Sequence, residues 1–315
     1  MRLGVAPECG SAYQGAMPQR LLLSIALLLL TAVPASAQDQ DYSKVEVTTV
    51  PVAGSVSMLQ GAGGNIAVLV GPDGVLVVDD EFAPLVPKIL TAIGRLNTKP
   101  VRFVVNTHWH GDHTGGNAAL GTEGAVIVAQ DNVRKRLSTE QFNAFTKKSI
   151  PPSPAIALPI VTFAEGLTFH FDGEDIEVTH VGPAHTDGDS VVWFRKANVL
   201  HMGDNFFNGL YPFIDAGSGG SVDGMVSALD TTLARIDDQT KVIPGHGPLG
   251  TKADLKKFRD MLAATRDRIK TAIRDGKTQD QVVTSKPSAE FDAAWGNGFL
   301  KPEAFVAMVY AGLKR

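Results

Sequence analysis

The chain has 315 residues, a formal net charge of −4 and a single cysteine. The mild acidity and the lack of a basic cluster argue against nucleic acid as a partner, and one cysteine excludes an internal disulfide. The length suits one large domain or two small ones.

The first 37 residues have the features of a secretory signal peptide. Leu21–Val33 is apolar, Arg20 precedes it, and the small residues Ala35-Ser-Ala37 follow it. The apolar stretch is shorter than the roughly 20 residues that a membrane span needs. We therefore expect cleavage after residue 37, a periplasmic or secreted protein, and no membrane attachment after cleavage. Met17 is a plausible true start, and cleavage would also remove Cys9.

The first half of the remaining chain predicts strands with two helices between them. Alternating or continuous apolar runs predict strands at 45–50, 65–70, 75–78, 101–105 and 126–129, with a turn at 71–74. Apolar residues at helical spacing predict helices at 85–96 and at 132–147. The proline-rich segment 151–154 predicts a loop.

The second half begins the same pattern again. Strands are predicted at 167–171, 176–180, 191–194, 199–202 and 241–243, and helices at 222–236 and 253–274. Two mixed sheets with helices outside them give an α/β fold with four layers in the order αββα. We expect residues 38–315 to form a single domain, because candidate metal ligands come from both halves.

The motif His108-Trp-His110-Gly-Asp112-His113 follows the strand predicted at 101–105. Imidazole and carboxylate are ligands that zinc prefers, and a structural zinc site rarely holds four of them so close in sequence. The motif therefore predicts a metal site in a loop at the end of a strand, where loops carry chemistry on a rigid scaffold.

Three further candidate ligands lie on glycine-containing loops that follow strands. His185 lies in Gly-Pro-Ala-His-Thr, Asp204 in Met-Gly-Asp-Asn, and His246 in Pro-Gly-His-Gly. Each of them alone is an ordinary residue, but the order and the flanking residues of the whole set are specific.

With these motifs the chain resembles the metallo-β-lactamase superfamily over nearly the whole length after residue 37. The resemblance implies the αββα sandwich and two zinc ions. It assigns His108, His110 and His185 to one metal and Asp112, His113 and His246 to the other. Asp204 matches the aspartate that bridges the two metals in members similar to glyoxalase II.

The resemblance supports the metal centre more strongly than any one substrate. Asp204 stands where secreted β-lactamases with a similar His185 segment place a cysteine. The lysine that binds the substrate carboxylate in those enzymes would fall at Phe207. The resemblance implies a small-molecule substrate with a carbonyl group, with a β-lactam as the first candidate and a lactone or thioester as others.

Asp112 is the predicted catalytic residue, as a metal ligand that also orients the attacking nucleophile or accepts its proton. Asp79 or Asp80 is a candidate partner for a ligand imidazole, with a helix cap or a solvated turn as the alternative. We assign His170, His180 and His201 to packing or support.

Two other regions border the predicted site. Residues 61–65 resemble the mobile flap that the family places over its site. The aromatic residues Phe206, Phe207, Tyr211 and Phe213 predict either an apolar pocket wall or ordinary core.

Two other functional classes stay open from the sequence alone. Persulfide dioxygenases share the ligand motif, so iron with redox chemistry is an alternative to zinc, whereas flavodiiron relatives carry a glutamate at the position of His110. A non-catalytic role beside a periplasmic quinoprotein system is a third reading, which a full ligand set disfavours.

Overall fold

The short apolar runs form strands that are buried on both faces. In β4 (Gly74–Val78), Val75 and Val77 face one apolar cluster, whereas Leu76 and Val78 face another. Successive side chains of a strand point to opposite faces, so such a strand needs a covering layer on each side. The computed structural model describes residues 41–143 and 147–315 and supplies both layers.

The first half of the chain forms a seven-stranded sheet in the order β1-β2-β3-β4-β5-β6-β9. Strands β4, β5, β6 and β9 run parallel to one another, whereas the pairs β1–β2, β2–β3 and β3–β4 are antiparallel. The strands up to β9 are β1 (Thr48–Ala53), β2 (Val56–Gln60), β3 (Ile66–Gly71), β4, β5 (Val101–Asn106), β6 (Val126–Gln130), β7 (Gln141–Asn143), β8 (Lys148–Ile150) and β9 (Val161–Phe163). Strands β7 and β8 form a separate hairpin.

The second half forms a six-stranded sheet in sequence order. Its strands are β10 (Gly166–Phe171), β11 (Glu174–His180), β12 (Ser190–Phe194), β13 (Val199–His201), β14 (Lys241–Ile243) and β15 (Gly250–Thr251). Only β13 and β14 pair in parallel within this sheet.

The described helices are α1 (Val86–Leu96), α2 (Gly111–Thr114), α3 (Asn117–Thr122), α4 (Asp131–Leu137), α5 (Val222–Arg235), α6 (Lys252–Arg274), α7 (Gln279–Thr284), α8 (Ala289–Trp295) and α9 (Pro302–Leu313). None of the helices in this part of the chain is long and apolar enough to cross a membrane.

Three apolar clusters show the layer order. One cluster joins residues of both sheets, such as Leu76 and Val192, and so lies between them. A second packs the other face of the first sheet against α1 and α3. The third packs the other face of the second sheet against α5, α6 and α9. The predicted four-layer αββα sandwich is confirmed.

The helix predicted at 132–147 ends at Leu137, so the prediction is wrong for residues 138–143, and residues 144–146 lie outside the described residues. The hydroxyl groups of Ser138 and Thr139 donate to the carbonyl of Lys135, and such bonds compete with helix continuation. The chain then turns into the β7–β8 hairpin. In the first half, the strand predicted at 45–50 begins at Thr48 and ends at Ala53, and β2 was not predicted.

Residues 41–315 form one compact unit. The predicted signal segment, with Cys9 and Met17, lies outside the described residues, so its cleavage stays a prediction.

Candidate metal centre

The seven predicted ligands come from loops that follow strands. His108, His110, Asp112 and His113 follow β5, and Asp204 and His246 follow the parallel neighbours β13 and β14. His185 lies in the loop between β11 and β12. Loops at the carboxyl ends of parallel strands meet at one sheet edge, and the structure brings all seven side chains together in two groups.

The first group, here the tri-histidine group, contains His108, His110 and His185. The Nδ1 atom of His110 lies 3.1 Å from Nε2 of His108 and 2.9 Å from Nε2 of His185. Asp204 Oδ2 lies 3.4 Å from Nε2 of His185 and 3.8 Å from Nε2 of His108. Three ring nitrogens and one carboxylate oxygen therefore face a common point.

The second group, here the Asp-His-His group, contains Asp112, His113 and His246. The Nε2 atoms of the two histidines are 3.4 Å apart, and Asp112 Oδ2 lies 3.4 Å from Nε2 of His246. The other oxygen of Asp204, Oδ1, lies 3.1 Å from His113 and 3.4 Å from His246. Asp204 thus offers one oxygen to each group.

These donors fit divalent cations. Metal–ligand bonds of about 2.0–2.1 Å to nitrogen or oxygen place neighbouring ligands of a tetrahedral site about 3.3 Å apart, which is close to the separations found here. Asp204 Oδ1 is buried, and the polar atoms nearest to it among the described residues are the Nε2 atoms of His113 and His246. A cation held by these three atoms would neutralise the buried carboxylate.

The comparisons with known proteins identify the family. The model of the Metallo-beta-lactamase superfamily matches residues 59–246, a range that contains all seven ligands. The chain belongs to the metallo-beta-lactamase superfamily. Members of this superfamily are mostly metal-dependent hydrolases and typically bind metal ions, often zinc.

Two relatives and one solved structure illustrate the similarity. Metallo-beta-lactamase type 2 of Bacteroides fragilis is 27% identical over 155 residues, which are 49% of this chain and 56% of that protein. The 2,4-dinitroanisole O-demethylase subunit alpha of Nocardioides sp. is 27% identical over 169 residues, which are 52% of this chain and 47% of that protein. A metallo-beta-lactamase from Pontibacter korlensis, at 21% identity, has the same fold with a TM-score of 0.58 and covers 69% of this chain and 99% of its own.

The matched segments span about half the length of those two relatives. Their printed activities differ, so the superfamily match establishes the fold and the class of site rather than a substrate.

Three of the five ligand imidazoles, those of His110, His113 and His185, are oriented by a partner on the outer nitrogen. Asp79 lies 2.8 Å from Nδ1 of His113, and Asp215 lies 3.0 Å from Nε2 of His110. The carbonyl of Phe213 lies 2.8 Å from Nδ1 of His185. Such partners select the tautomer that leaves the inner nitrogen free for a metal. The prediction that Asp79 or Asp80 supports a ligand is confirmed for Asp79.

Asp215 was missed by the sequence reading, and it holds His110 from the side opposite the metal group. The hydroxyl of Ser218 donates to the same carboxylate oxygen at 2.6 Å. Burial alone would raise the pKa of Asp215, but hydrogen bonds from His110 and Ser218 lower it. Asp215 is therefore an anion that accepts the Nε2 proton of His110.

We expect Asp215→Asn to weaken metal binding at the tri-histidine group. The amide is neutral and can present a donor to His110, which disfavours the required tautomer, and loss of such a partner typically costs about 10–100-fold in metal affinity. Chelator competition should measure this change, with Asp223→Asn on α5 as the control. Unchanged affinity in Asp215→Asn would contradict the assignment.

The two groups differ in the protonation of their metal-free imidazoles. Burial and the neighbouring histidines lower the pKa of His185 to about 4 and that of His108 well below its usual value. Burial also opposes the charged form of His113 and His246, but Asp204 and Asp112 outweigh it. These carboxylates raise the pKa of His246 to about 9 and that of His113 well above its usual value.

Metal loading should therefore release protons. At pH 7 the metal-free protein holds a proton on His113 and on His246, and both must leave before the inner nitrogens can bind a cation, so we expect release of about two protons. As the pH rises through about 9, His246 is already neutral before loading, and the number should fall toward about one. Calorimetric titration of zinc in buffers with different ionisation enthalpies measures this number, and no release at pH 7 would contradict it.

The loop 61–65 packs against the Asp-His-His group. The Glu81 carboxylate accepts from the amides of Ala62 and Gly63, and Gly64 donates to the Asp112 carbonyl. A Cβ atom on Gly64 would lie 2.1 Å from His113, so only glycine fits there. These contacts argue against the mobile flap that the sequence suggested.

A cleft of about 450 Å³ opens at the metal groups. His110, Asp112, Asp204 and His246 line it, so ligands of both groups face the same space. The apolar part of its wall consists of Ala62, Phe82, Ile150, Phe207, Phe213 and Phe299.

The four aromatic residues that follow Asp204 separate into wall and core. Phe207 and Phe213 line the cleft. Phe206 is buried against Phe258, and Tyr211 is buried and stacked on Phe305. The pocket-wall prediction therefore holds for two of the four.

The remaining histidines stand outside both metal groups, as expected. His201 is buried, with Nε2 placed 2.9 Å from the carbonyl of Asn65 and Nδ1 accepting from the amide of Gly203. His180 pairs with the carbonyl of Asp189, and His170 pairs with Asp175 at the surface.

Proposed function

We propose that the protein is an exported dinuclear zinc hydrolase that acts on a small substrate with a carbonyl group. The observation that carries the proposal is Asp204, which directs one oxygen to the tri-histidine group and the other to the Asp-His-His group. Two ligand groups that share the Asp204 carboxylate favour two metal ions over one.

The residues of the site fall into two sets: those that would hold the metals, and those that would contact the substrate. His108, His110, His185 and Asp204 would hold one zinc ion, and Asp112, His113, His246 and Asp204 the other. When bound, zinc lowers the pKa of a coordinated water and polarises a carbonyl oxygen. None of the described residues that line the cleft is a serine, threonine, cysteine or lysine, so a side-chain nucleophile has no support there.

Asp112 has the position of a proton acceptor. Its side chain is 28% exposed at the cleft, whereas that of Asp204 is 5% exposed. Burial would raise the pKa of Asp112, but His113 and His246 hold it well below the usual range, so the carboxylate is ionised. It can therefore orient a nucleophile in the cleft and accept its proton.

The test combines metal content with turnover. The purified protein should contain two zinc ions and should hydrolyse a β-lactam such as nitrocefin, a lactone, an ester or a thioester in a reaction that a chelator abolishes. Iron in place of zinc, or a zinc-loaded protein that hydrolyses none of these classes, would overturn the proposal.

Export is part of the proposal and has its own test. The amino-terminal sequence of protein recovered from the periplasm or the medium should begin after residue 37, and recovery of the uncleaved chain in the cytoplasm would contradict export.

A further inference from the structure

Three aromatic rings line the cleft beside the metal groups, and one of them reaches the solvent. The ring of Phe207 stacks on His246 with a centroid distance of 5.1 Å and an angle of 20°. The ring of Phe299, from the segment between α8 and α9, lies 6.4 Å from Phe207. Phe213 lies on the side of His110 and His185, 6.1 Å from each ring. We call Phe207, Phe213 and Phe299 the aromatic slot.

Phe299 is 58% exposed although it lies beside this apolar wall. A large apolar ring in water is unfavourable, and one that continues an apolar cleft marks a surface for an apolar ligand. An aromatic ring bound in the slot would cover Phe299 and would contact rings whose edges and faces suit aromatic packing.

The rings of the slot offer no partner to an anion at a distance from the metals. None of the described residues that line the cleft is a lysine or an arginine. A substrate carboxylate placed against the three rings would lose hydration without gaining a partner, which is strongly unfavourable.

Lys148 is a cationic side chain near the rim of the cleft, and its effect on a charged substrate has to be tested. It pairs with Asn143 across the β7–β8 hairpin, and directly opposed residues present their side chains to the same face. Asn143 lines the cleft, so Lys148 is placed on the cleft-facing side, although it is exposed and does not line the cleft itself.

We infer that the preferred substrates are uncharged esters or lactones that carry an aromatic ring, which the aromatic slot binds. The inference rests on the proposed hydrolase function and names its substrate class. In the reaction, the oxygen of water forms a new bond to the acyl carbon and the ester C–O bond breaks. The alcohol oxygen takes one proton of that water, and the second proton passes to the solvent and leaves a carboxylate product.

A matched pair of substrates tests the inference. One is methyl phenylacetate, and the other is the methyl ester that carries a carboxylate at the para position of the phenylacetyl ring, away from the scissile bond. For the zinc-loaded protein we expect kcat/KM to be at least about tenfold higher for the neutral ester, mainly through KM.

Variants of Phe299 test whether the aromatic slot causes the difference in kcat/KM between the two esters. Phe299→Ala should lower kcat/KM for the neutral ester about tenfold and leave the charged ester nearly unchanged. Phe299→Lys should reverse the preference. The matched control is Phe142→Ala, because Phe142 is 63% exposed but pairs with Ser149 on the other face of the hairpin and does not line the cleft. Phe142→Ala should change kcat/KM for neither ester.

The remaining outcomes separate this inference from the proposed function. Chelator-sensitive hydrolysis of methyl acetate, which has no aromatic ring, supports the hydrolase even where the two test esters are used equally, and equal use overturns the inference alone. The inference is also overturned if the protein prefers the charged ester and Lys148→Ala abolishes that preference.

A binding measurement covers a protein that hydrolyses none of the esters. The N-methyl amides of the same two acids resist hydrolysis, and the neutral amide should bind the zinc-loaded protein at least about tenfold more tightly, with the difference lost in Phe299→Ala. Equal binding of the two amides overturns the inference whether or not turnover is found.

Discussion

Asp204→Asn should remove metal from both groups and abolish most turnover. Asp204 is the one described side chain that faces both groups, with Oδ2 at 3.4 Å from His185 and Oδ1 at 3.1 Å from His113. Burial would raise its pKa, but the surrounding histidines hold it well below the usual range, so the wild-type group is an anion. The asparagine amide has nearly the same shape as the carboxylate, but it is neutral and has only one oxygen that can bind a metal.

The expected loss exceeds that of a supporting residue. Removal of a partner that only orients a ligand costs about 10–100-fold in metal affinity, so loss of a shared anionic ligand should cost at least about a hundredfold at each group. Metal content after dialysis and turnover at fixed zinc measure the two effects. Asp238→Asn is the control, because that side chain is 92% exposed.

Circular dichroism of the metal-free proteins separates metal loss from unfolding. Asp204→Asn with wild-type structure and less than half the wild-type metal content would support the shared role. A folded variant that still binds two zinc ions and turns over normally would contradict it.

The layer order was predictable because it depends on local patterns. Continuous apolar runs such as Val75–Val78 indicate strands buried on both faces, and the regular spacing from Leu85 to Leu96 indicates a helix. The helix predicted at 132–147 failed where patterns compete. Hydroxyl groups at Ser138 and Thr139 bond to a preceding carbonyl, and the pairing of β7 with β8 provides the hairpin alternative.

The metal ligands could be predicted because they lie in recognisable sequence motifs. Four ligands lie within six residues of one motif, and the others follow strands on glycine-containing loops. Asp215 and Phe299 have no such signature. Asp215 is 105 residues from the imidazole it supports, and Phe299 reaches the cleft from a segment near the carboxyl end. Only the packing of the two halves brings these residues to the site.

The second large effect is expected for Asp112→Ala, which should affect one metal and the chemistry together. Asp112 Oδ2 lies 3.4 Å from His246 and 3.7 Å from His113, and nothing else in the Asp-His-His group carries a negative charge of its own. None of the three rings of the tri-histidine group contacts Asp112, so this group should keep its metal. Asp112 also faces the cleft, so its loss removes a proton acceptor beside the substrate.

The two roles can be separated by adding zinc. Loss of a general base costs about 10²–10⁴-fold in turnover, and that loss should remain when excess zinc restores the second metal. Titration of Asp112→Ala with zinc, followed by both metal stoichiometry and turnover, measures the two parts, with Asp238→Ala as the control. Recovery of wild-type turnover at full metal content would show that Asp112 only holds metal, because a carboxylate that accepts the proton of the nucleophile cannot be replaced by the metal it binds.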